Sequence, residues 1–482
     1  MLEGARDGRQ LVSAVETAVA RNKSVVILKM GQSGAGLAQA ASHTGALAGK
    51  AELFDAELRH AGACVVRDET ELLDAMVIGA HRKVPAGRGF GIVTSSGGFG
   101  VLTLDAAEKY GLNVRPPAIA PTVDELNEVK GGRFNNPFDY SSSLSAGPRA
   151  AETALGWMIS QPNVDSIVMF HFYSALREDR QAKLFSLLAD AARSTTKPIF
   201  VCGVAPQEFE EKLRALGVLW FEEPTRLVKT LALMAPRKSP GALQPVPSSS
   251  QSQKVTLTGA RARQSLEHLP HLRHVATYPV ADAAAAKALQ KNLRSKIILK
   301  VESDQHAHKS DLGLVSAPLD ANDIDDAFQR LVQAHDACGA SGTPIVAQPF
   351  ERGCELALGA YLDPIFGPAV MVATGGIFLE ILQDATFAAA PITHARALEM
   401  IRGLAGSPLL SGARGRAIAD LDAAAAALVD LSHFIYEGRD KFSEVDINPL
   451  IVREQGKGVV AVDALLVLKK ECSADSVVFA QR

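Results

Sequence analysis

His43 stands among small residues, Ser42, Thr44, Gly45 and Ala46, shortly after the glycine loop GQSGAG at 31–36. An imidazole that is neutral near pH 7 is a nucleophile toward phosphorus, and small neighbours leave room for a reacting group. Glycines let a backbone approach a phosphate, whose charge the free N–H groups of a following helix can bind. The same pattern also fits a histidine satisfied inside a turn. AGK at 48–50 lacks the Ser/Thr and the glycine spacing of a P-loop. A second glycine turn, TSSGGFG at 94–100, places Gly97 and Gly98 between a strand and a helix; it reads as a phosphate cradle or as a tight βα turn. NNPFD at 135–139 reads as a proline-fixed turn carrying two amides and an acid.

The second half has a different set. Lys300 closes the apolar run KIILK, where it can reach a nucleotide phosphate as a point charge or simply end a strand in solvent. QHAHKSDLG at 305–313 carries His308, a candidate to accept or relay a phosphoryl group. In EVDINPL, Glu444, Asp446 and Asn448 share one strand face, and Asp463 follows on the next apolar run. Hard oxygens on adjacent strands suit Mg²⁺ held with a nucleotide's phosphates; solvated acids on an exposed face are the alternative. His268, His271 and His274 invite a zinc reading, but Pro270 breaks the segment and no Cys or carboxylate is paired with them, so a surface segment is expected.

These residues need elements to hold them. Through residue 235, apolar runs (24–30, 89–96, 164–172, 197–204) alternate with helical stretches (51–62, 101–112, 181–194), which predicts doubly wound parallel α/β units with ligands at the strand carboxyl ends. A Pro- and Ser-rich stretch at 236–254 reads as a linker. Beyond it, apolar runs at 295–303, 343–350, 355–363, 368–376, 444–452 and 458–468 follow one another with few helices, the main ones at 281–290 and 417–436, so an α+β domain with antiparallel pairing is expected. At 482 residues the chain has length for about three domains. A net charge of −3 argues against a nucleic-acid partner, and no apolar run is long enough to span a membrane. The 5 cysteines are scattered without paired spacing, which points to a reducing compartment, the cytoplasm.

Read in order, SHTGALAG (42–49), TSSGGFGVL (94–102), NNPFD (135–139), HKSDLG (308–313), GGIFLEIL (375–382), GARG (412–415) and DINPL (446–450) resemble the NDP-forming acyl-CoA synthetases, relatives of succinyl-CoA synthetase and ADP-forming acetate–CoA ligase. The resemblance implies two flavodoxin-like domains, 1–83 and 84–235, a linker at 236–262 and an ATP-grasp domain at 263–482. It implies an acid–CoA ligase that makes an acyl-CoA from a carboxylic acid, CoA and ATP (or GTP), with Mg²⁺, through acyl-phosphate and phosphohistidine intermediates. His43 matches the phosphorylated histidine, Glu3 the acid that orients it, and His308 the relay histidine. Lys300 matches the nucleotide-phosphate lysine, Glu351 the ribose ligand, and Asn448 and Asp463 the magnesium ligands; Gly97 and Gly98 fall in the family's glycine turn. The family chain normally starts with a CoA-binding Rossmann domain, and residue 1 falls about where that domain ends, so either the chain is a fragment or a separate CoA-binding domain or subunit is expected as partner, beside self-association into a homo-oligomer. Gly313-Leu314 stands where the family has Gly-Gly, and EHLPHLRHVATYPV replaces its usual Gly-X-Pro turn. The alternative is a nucleotide- or acyl-CoA-binding regulatory module of the kind fused to acetyltransferases. The joint presence of His43, Lys300, Asn448 and Asp463 favours the enzyme. Phe134, Phe138, Phe170, Phe172 and Tyr173 read either as core or as a pocket for a bulky acid.

Overall fold

A computed structural model describes residues 1–31, 50–129, 134–140, 149–170, 178–235, 254–302, 312–337, 343–375, 384–415 and 417–469. His43, His308, Phe172, Tyr173 and residues 236–253 lie outside these. The chain divides into two units, one of Met1–Gly4, Ser13–Ala40 and Leu58–Ser239, the other of Ala5–Val12, Ala41–Glu57 and Pro240–Arg482.

The first unit has two parallel sheets. β1 (Val26–Leu28) pairs with β2 (Cys64–Val66), and Leu2 bridges to Lys29 beside them. The larger sheet runs β4 (Phe138–Asp139), β3 (Phe90–Thr94), β5 (Ser166–Phe170), β6 (Ile199–Cys202), β7 (Leu219–Phe221), all parallel. Counted from β3 this is the 2-1-3-4-5 order of a flavodoxin-like sheet, whose ligand crevice lies at the carboxyl ends of the strands where the order reverses. Both faces are covered, and β3, β5 and β6 are buried along their whole length, as continuous apolar runs require. The helix after β3 is Gly97–Tyr110, four residues earlier at its start than the apolar pattern suggests, and it ends at Gly111, whose φ of 77° is left-handed.

The second unit is antiparallel. A small sheet orders β10 (Ile297–Val301), β11 (Ile345–Pro349) and β9 (Tyr278–Pro279). The large sheet runs β14 (Ala385–Ala389), β13 (Gly367–Thr374), β12 (Cys354–Asp363), β15 (Phe442–Val452), β17 (Ala464–Lys469), β8 (Lys254–Thr258), with β16 (Val459–Ala461) also on β15. The Ala-rich helix Leu421–Glu437, capped by the Asp420 side chain, buries Ala424, Leu428, Leu431 and Ile435 in the core of that sheet. Leu314 is fully buried among Ile297, Leu299, Val301 and Leu331, so the leucine that replaces the family's second glycine serves the core of the small sheet. Among the described residues no helix is long and apolar enough to cross a membrane.

Candidate functional site

Register brings two of the sequence candidates together. Ile447 of β15 faces Ala464 of β17, and Leu450 faces Ala461 of β16. The run 458–468 is therefore two short strands on one line, interrupted at Val462 and Asp463, with Val462 N–H donating to Pro449 O at 3.0 Å. The register carries Asn448 directly across from Asp463 at this interruption. Asn448 is exposed and Asp463 half-buried, while their strand neighbours Ile447 and Ala464 are buried. Strand alternation thus turns two hard oxygen donors out of an apolar sheet on the same face. Glu444 and Asp446, the other members of the alternation, lie four and two residues away along β15.

Lys300 arrives from the other sheet. Its neighbours Ile297, Leu299 and Val301 pack into the core of the small sheet, and β11 pairs Val346 with it. Its side chain is 3% exposed; Nζ lies 3.5 Å from Asp463 Oδ1 and donates to Val462 O at 3.4 Å. A buried lysine at a strand end is hence held by the interruption that carries Asp463, rather than solvated. Glu351, just past β11, accepts from Arg453 Nε at 3.1 Å and lies 2.8 Å from its Nη2, both through Oε2. Arg263 reaches Glu302 at 2.6 Å, two residues beyond Lys300. This pair and His274 were not singled out as site residues by sequence, because nothing in their spacing connects them to Asp463.

The donors present suit Mg²⁺, which takes one or two protein carboxylate-type ligands and fills the rest of its octahedron with water and substrate phosphate. Among the described residues, no group of three or more His, Cys, Asp or Glu side chains could hold a metal by themselves. His271 pairs with Asp430, its Nδ1 3.1 Å from the carboxylate; the His268 ring lies 5.7 Å from that of Phe434; His274 is half-buried, with both ring nitrogens shielded from solvent.

In the first unit the structure joins two glycine- and amide-bearing motifs at the carboxyl ends of β3 and β4. Thr94 sits beside Asp139 in the ladder. The buried Thr94 hydroxyl donates to Ser96 O at 2.8 Å and accepts from Ser96 N–H at 2.9 Å, which builds the turn. A Cβ on Gly97 would lie 3.1 Å from Asp139 Oδ2, whereas one on Gly98 would meet nothing within 4 Å. Ser96 gives the helix no side-chain cap, so first-turn N–H groups face the open turn. Asn136 proves structural: Ile92 N–H donates to its Oδ1 at 3.0 Å and its Nδ2 donates to Phe90 O at 2.8 Å, so the amide supplies a missing ladder partner to β3. Of the aromatics, Phe138 packs on Phe134 and Trp157, and Phe170 is buried under Phe99 at a 3.9 Å stacking distance; both are core.

Glu3 is carried to the end of β1 by the Leu2 bridge, and Lys29 Nζ donates to Glu3 O at 2.8 Å and to Met30 O at 2.5 Å. Burial pushes the Lys29 pKa down, with the Glu3 charge opposing. In the sequence, that strand end precedes His43.

Comparison with known proteins agrees with this organisation. An ATP-grasp domain family matches residues 248–468, and the succinyl-CoA ligase like flavodoxin domain matches residues 1–78. The ADP-forming acetate–CoA ligase I of Archaeoglobus fulgidus is 30% identical over 494 residues, covering 98% of this chain and 70% of that protein. The ADP-forming 4-hydroxybutyrate–CoA ligase of Nitrosopumilus maritimus is 27% identical, covering 96% and 69%. The beta subunit of a Pyrococcus furiosus ADP-forming acetate–CoA ligase is 38% identical over 181 residues, covering 36% of this chain and 75% of the subunit. With matches to both domain families, and 30% identity to an ADP-forming acetate–CoA ligase over 98% of its own length and 70% of that protein's, the chain belongs to the ADP-forming acyl-CoA synthetases, a family of acid–CoA ligases.

Proposed function

We propose that the chain converts a carboxylic acid, CoA and ATP into acyl-CoA, ADP and phosphate, with the phosphoryl group carried on His43. Lys300 binds the nucleotide phosphates, Asn448 and Asp463 hold Mg²⁺, and Glu351 takes the ribose through the oxygen that Arg453 leaves open. Mg²⁺, when bound, neutralises phosphate charge. The γ-phosphoryl group passes from ATP to a ring nitrogen of His308 as the ADP oxygen departs, and then to the His43 imidazole, whose new N–P bond forms as the His308 N–P bond breaks. Glu3 orients that ring by accepting from its other nitrogen. At the turn of Gly97 and Gly98, helical N–H groups steady the phosphoryl group while a substrate carboxylate oxygen attacks phosphorus and His43 leaves. The CoA thiolate then attacks the acyl carbon of the acyl phosphate, the C–S bond forming as the C–O bond breaks and inorganic phosphate leaves. Covalent carriage divides one difficult condensation into displacements that each have a good leaving group.

The observation that carries this reading is the ion pair of Lys300 with Asp463, together with the register that sets Asp463 across from Asn448. The free thiols Cys64, Cys202 and Cys354 suit a reducing, cytoplasmic setting. Relatives made of separate alpha and beta subunits support a partner subunit, which we propose binds CoA; self-association into a homo-oligomer is a further part of the proposal. The test is a panel of carboxylic acids, scored for CoA-thioester formation and ADP release. Thioester formation without ADP release would overturn the proposed route.

A further inference from the structure

The helix Glu69–Ala80 carries acids on its buried face and apolar residues on its solvent face. Beside Ala75 and Ile78 it buries Glu71 and Asp74, and the helix Pro224–Met234 answers both. Arg226 holds Asp74 through two bonds of 2.6 and 2.7 Å, and Lys229 Nζ lies 2.5 Å from Glu71 Oε1. Arg67 N–H donates to Glu71 Oε2 at 2.7 Å, and Glu71 N–H donates to the Asp68 side chain at 2.8 Å, which caps the helix start. Breaking a buried ion pair is strongly unfavourable, so these contacts fix the rotation of the helix about its axis. That rotation leaves Leu73 60% exposed, Met76 53% and Val77 38%, with Ala80 exposed as well. Their spacing of i, i+3, i+4 and i+7 makes one continuous stripe along the helix. Apolar residues scattered singly on a surface need no explanation, whereas a contiguous stripe marks an interaction surface.

We propose that this stripe is covered by the same stripe of a second copy of the chain, the two helices antiparallel about a two-fold axis at Met76. The residues on it are self-complementary under that operation. Antiparallel pairing about Met76 sets Leu73 of each copy against Val77 of the other, and Met76 against Met76. It also sets Glu69, at the start of the stripe, against Arg82, just past its end. Both are exposed, and neither forms an ion pair among the described residues. A two-fold interface makes each of these contacts twice. A parallel pair would instead set Glu69 beside Glu69 and Arg82 beside Arg82, so the end charges select the antiparallel arrangement. This gives the self-association proposed above a surface, and it uses no residue assigned to nucleotide, metal or phosphoryl group. One helix per copy is a small contact, so a dimer in the micromolar range is expected.

Sedimentation velocity of the full chain, over a series from about 1 to about 500 μM, tests this. The wild type should pass from monomer to dimer within the series. Met76→Lys places two like charges at the axis and should weaken dimerisation about tenfold or more. Glu69→Arg and Arg82→Glu each replace two facing opposite-charge pairs by like-charge pairs, and each should weaken it about two- to thirtyfold. The double variant Glu69→Arg/Arg82→Glu restores both pairs and should return to within about twofold of wild type. A monomer throughout the series, or a dimer that Met76→Lys leaves unchanged, refutes the interface. Single charge variants without effect, or a loss that the double variant does not recover, refute the antiparallel pairing; the stripe then meets something other than its own copy. Should Met76→Lys fail to fold, the charge variants decide alone, since both positions are exposed. Thioester formation remains the separate test of the ligase reading, and a failed interface leaves that reading standing.

Discussion

Replacing Lys300 by Met keeps most of the stem and removes the charge. In the free protein the ammonium makes long contacts, 3.5 Å to Asp463 and 3.4 Å to Val462 O. Charge-assisted bonds run to about 2.7–2.9 Å, so a phosphate would form a shorter bond with Lys300 than either of these contacts. The Lys300 side chain is 3% exposed, so little water competes for it. A hydrogen bond to a charged group contributes about 1.5–3 kcal/mol, or about ten- to 150-fold in affinity, and burial favours the upper part of that range. The cost to the fold is smaller. At 3.5 Å the ion pair is worth about 1 kcal/mol at the dielectric of water and about 5 at an effective dielectric of 20. Asp463 is 31% exposed, so the loss falls near the low figure and Lys300→Met folds. The assay is calorimetric titration at saturating Mg²⁺ with ADP and with adenosine. ADP should bind about ten- to 150-fold more weakly and adenosine unchanged. ADP affinity within about threefold of wild type, or an equal loss for adenosine, would refute a phosphate-binding Lys300.

Asn448→Ala and Asp463→Ala should each raise the Mg²⁺ concentration needed for nucleotide binding by about an order of magnitude, since each removes a hard ligand from an ion intolerant of poor geometry; an unchanged Mg²⁺ dependence in both would move the metal elsewhere. Incubation with γ-labelled ATP and Mg²⁺ should give an acid-labile, base-stable phosphoprotein, and His43→Ala should abolish the label unless it maps to His308. Asn136→Ala should lower stability by about 2 kcal/mol or more, because it strands the Ile92 N–H and the Phe90 carbonyl inside the sheet. Differential scanning calorimetry checks this, and an unshifted transition would show that β3 finds other partners.

Elements legible in the sequence were those whose pattern has one physical solution. β3, β5 and β6 are buried on both faces, so their apolar runs could only be strands of a covered parallel sheet. The helix Leu421–Glu437 was equally plain, since alanine both favours helix and packs closely on a sheet. Asn136 was misleading in isolation: an amide before proline reads as a turn, and only the parallel ladder shows that it substitutes for a strand neighbour. The helix start at Gly97 was hidden because glycine weakens a helical pattern while the Thr94–Ser96 turn supplies the entry geometry. His274 looked like a third surface histidine because its burial is made by the strand Val459–Ala461, far away in sequence.

The break between β16 and β17 shows why the metal pair could be found by pattern and its partners could not. A continuous strand from 459 to 469 would pair every residue with β15 and leave no backbone for a second sheet to approach. Interrupting it at Val462 and Asp463 frees the Val462 carbonyl, and that carbonyl and the Asp463 carboxylate are the groups Lys300 meets. Asn448 and Asp463 are linked by period two and antiparallel pairing, both of which operate on local sequence. Lys300 is linked to them only by the packing of one sheet against another. The consequence for chemistry follows from charge. A carboxylate already paired with a buried lysine holds a bare divalent ion less strongly, because the ion must compete with the lysine for it. A nucleotide that brings its own phosphates draws Lys300 and releases Asp463 to the metal. Metal and nucleotide should therefore bind cooperatively: Mg²⁺ affinity measured without nucleotide should be weak, and Lys300→Met should strengthen it while weakening ADP binding. Opposite movement of the two affinities in one variant is the signature of a shared carboxylate, and parallel movement would show that Lys300 and the metal do not compete for Asp463.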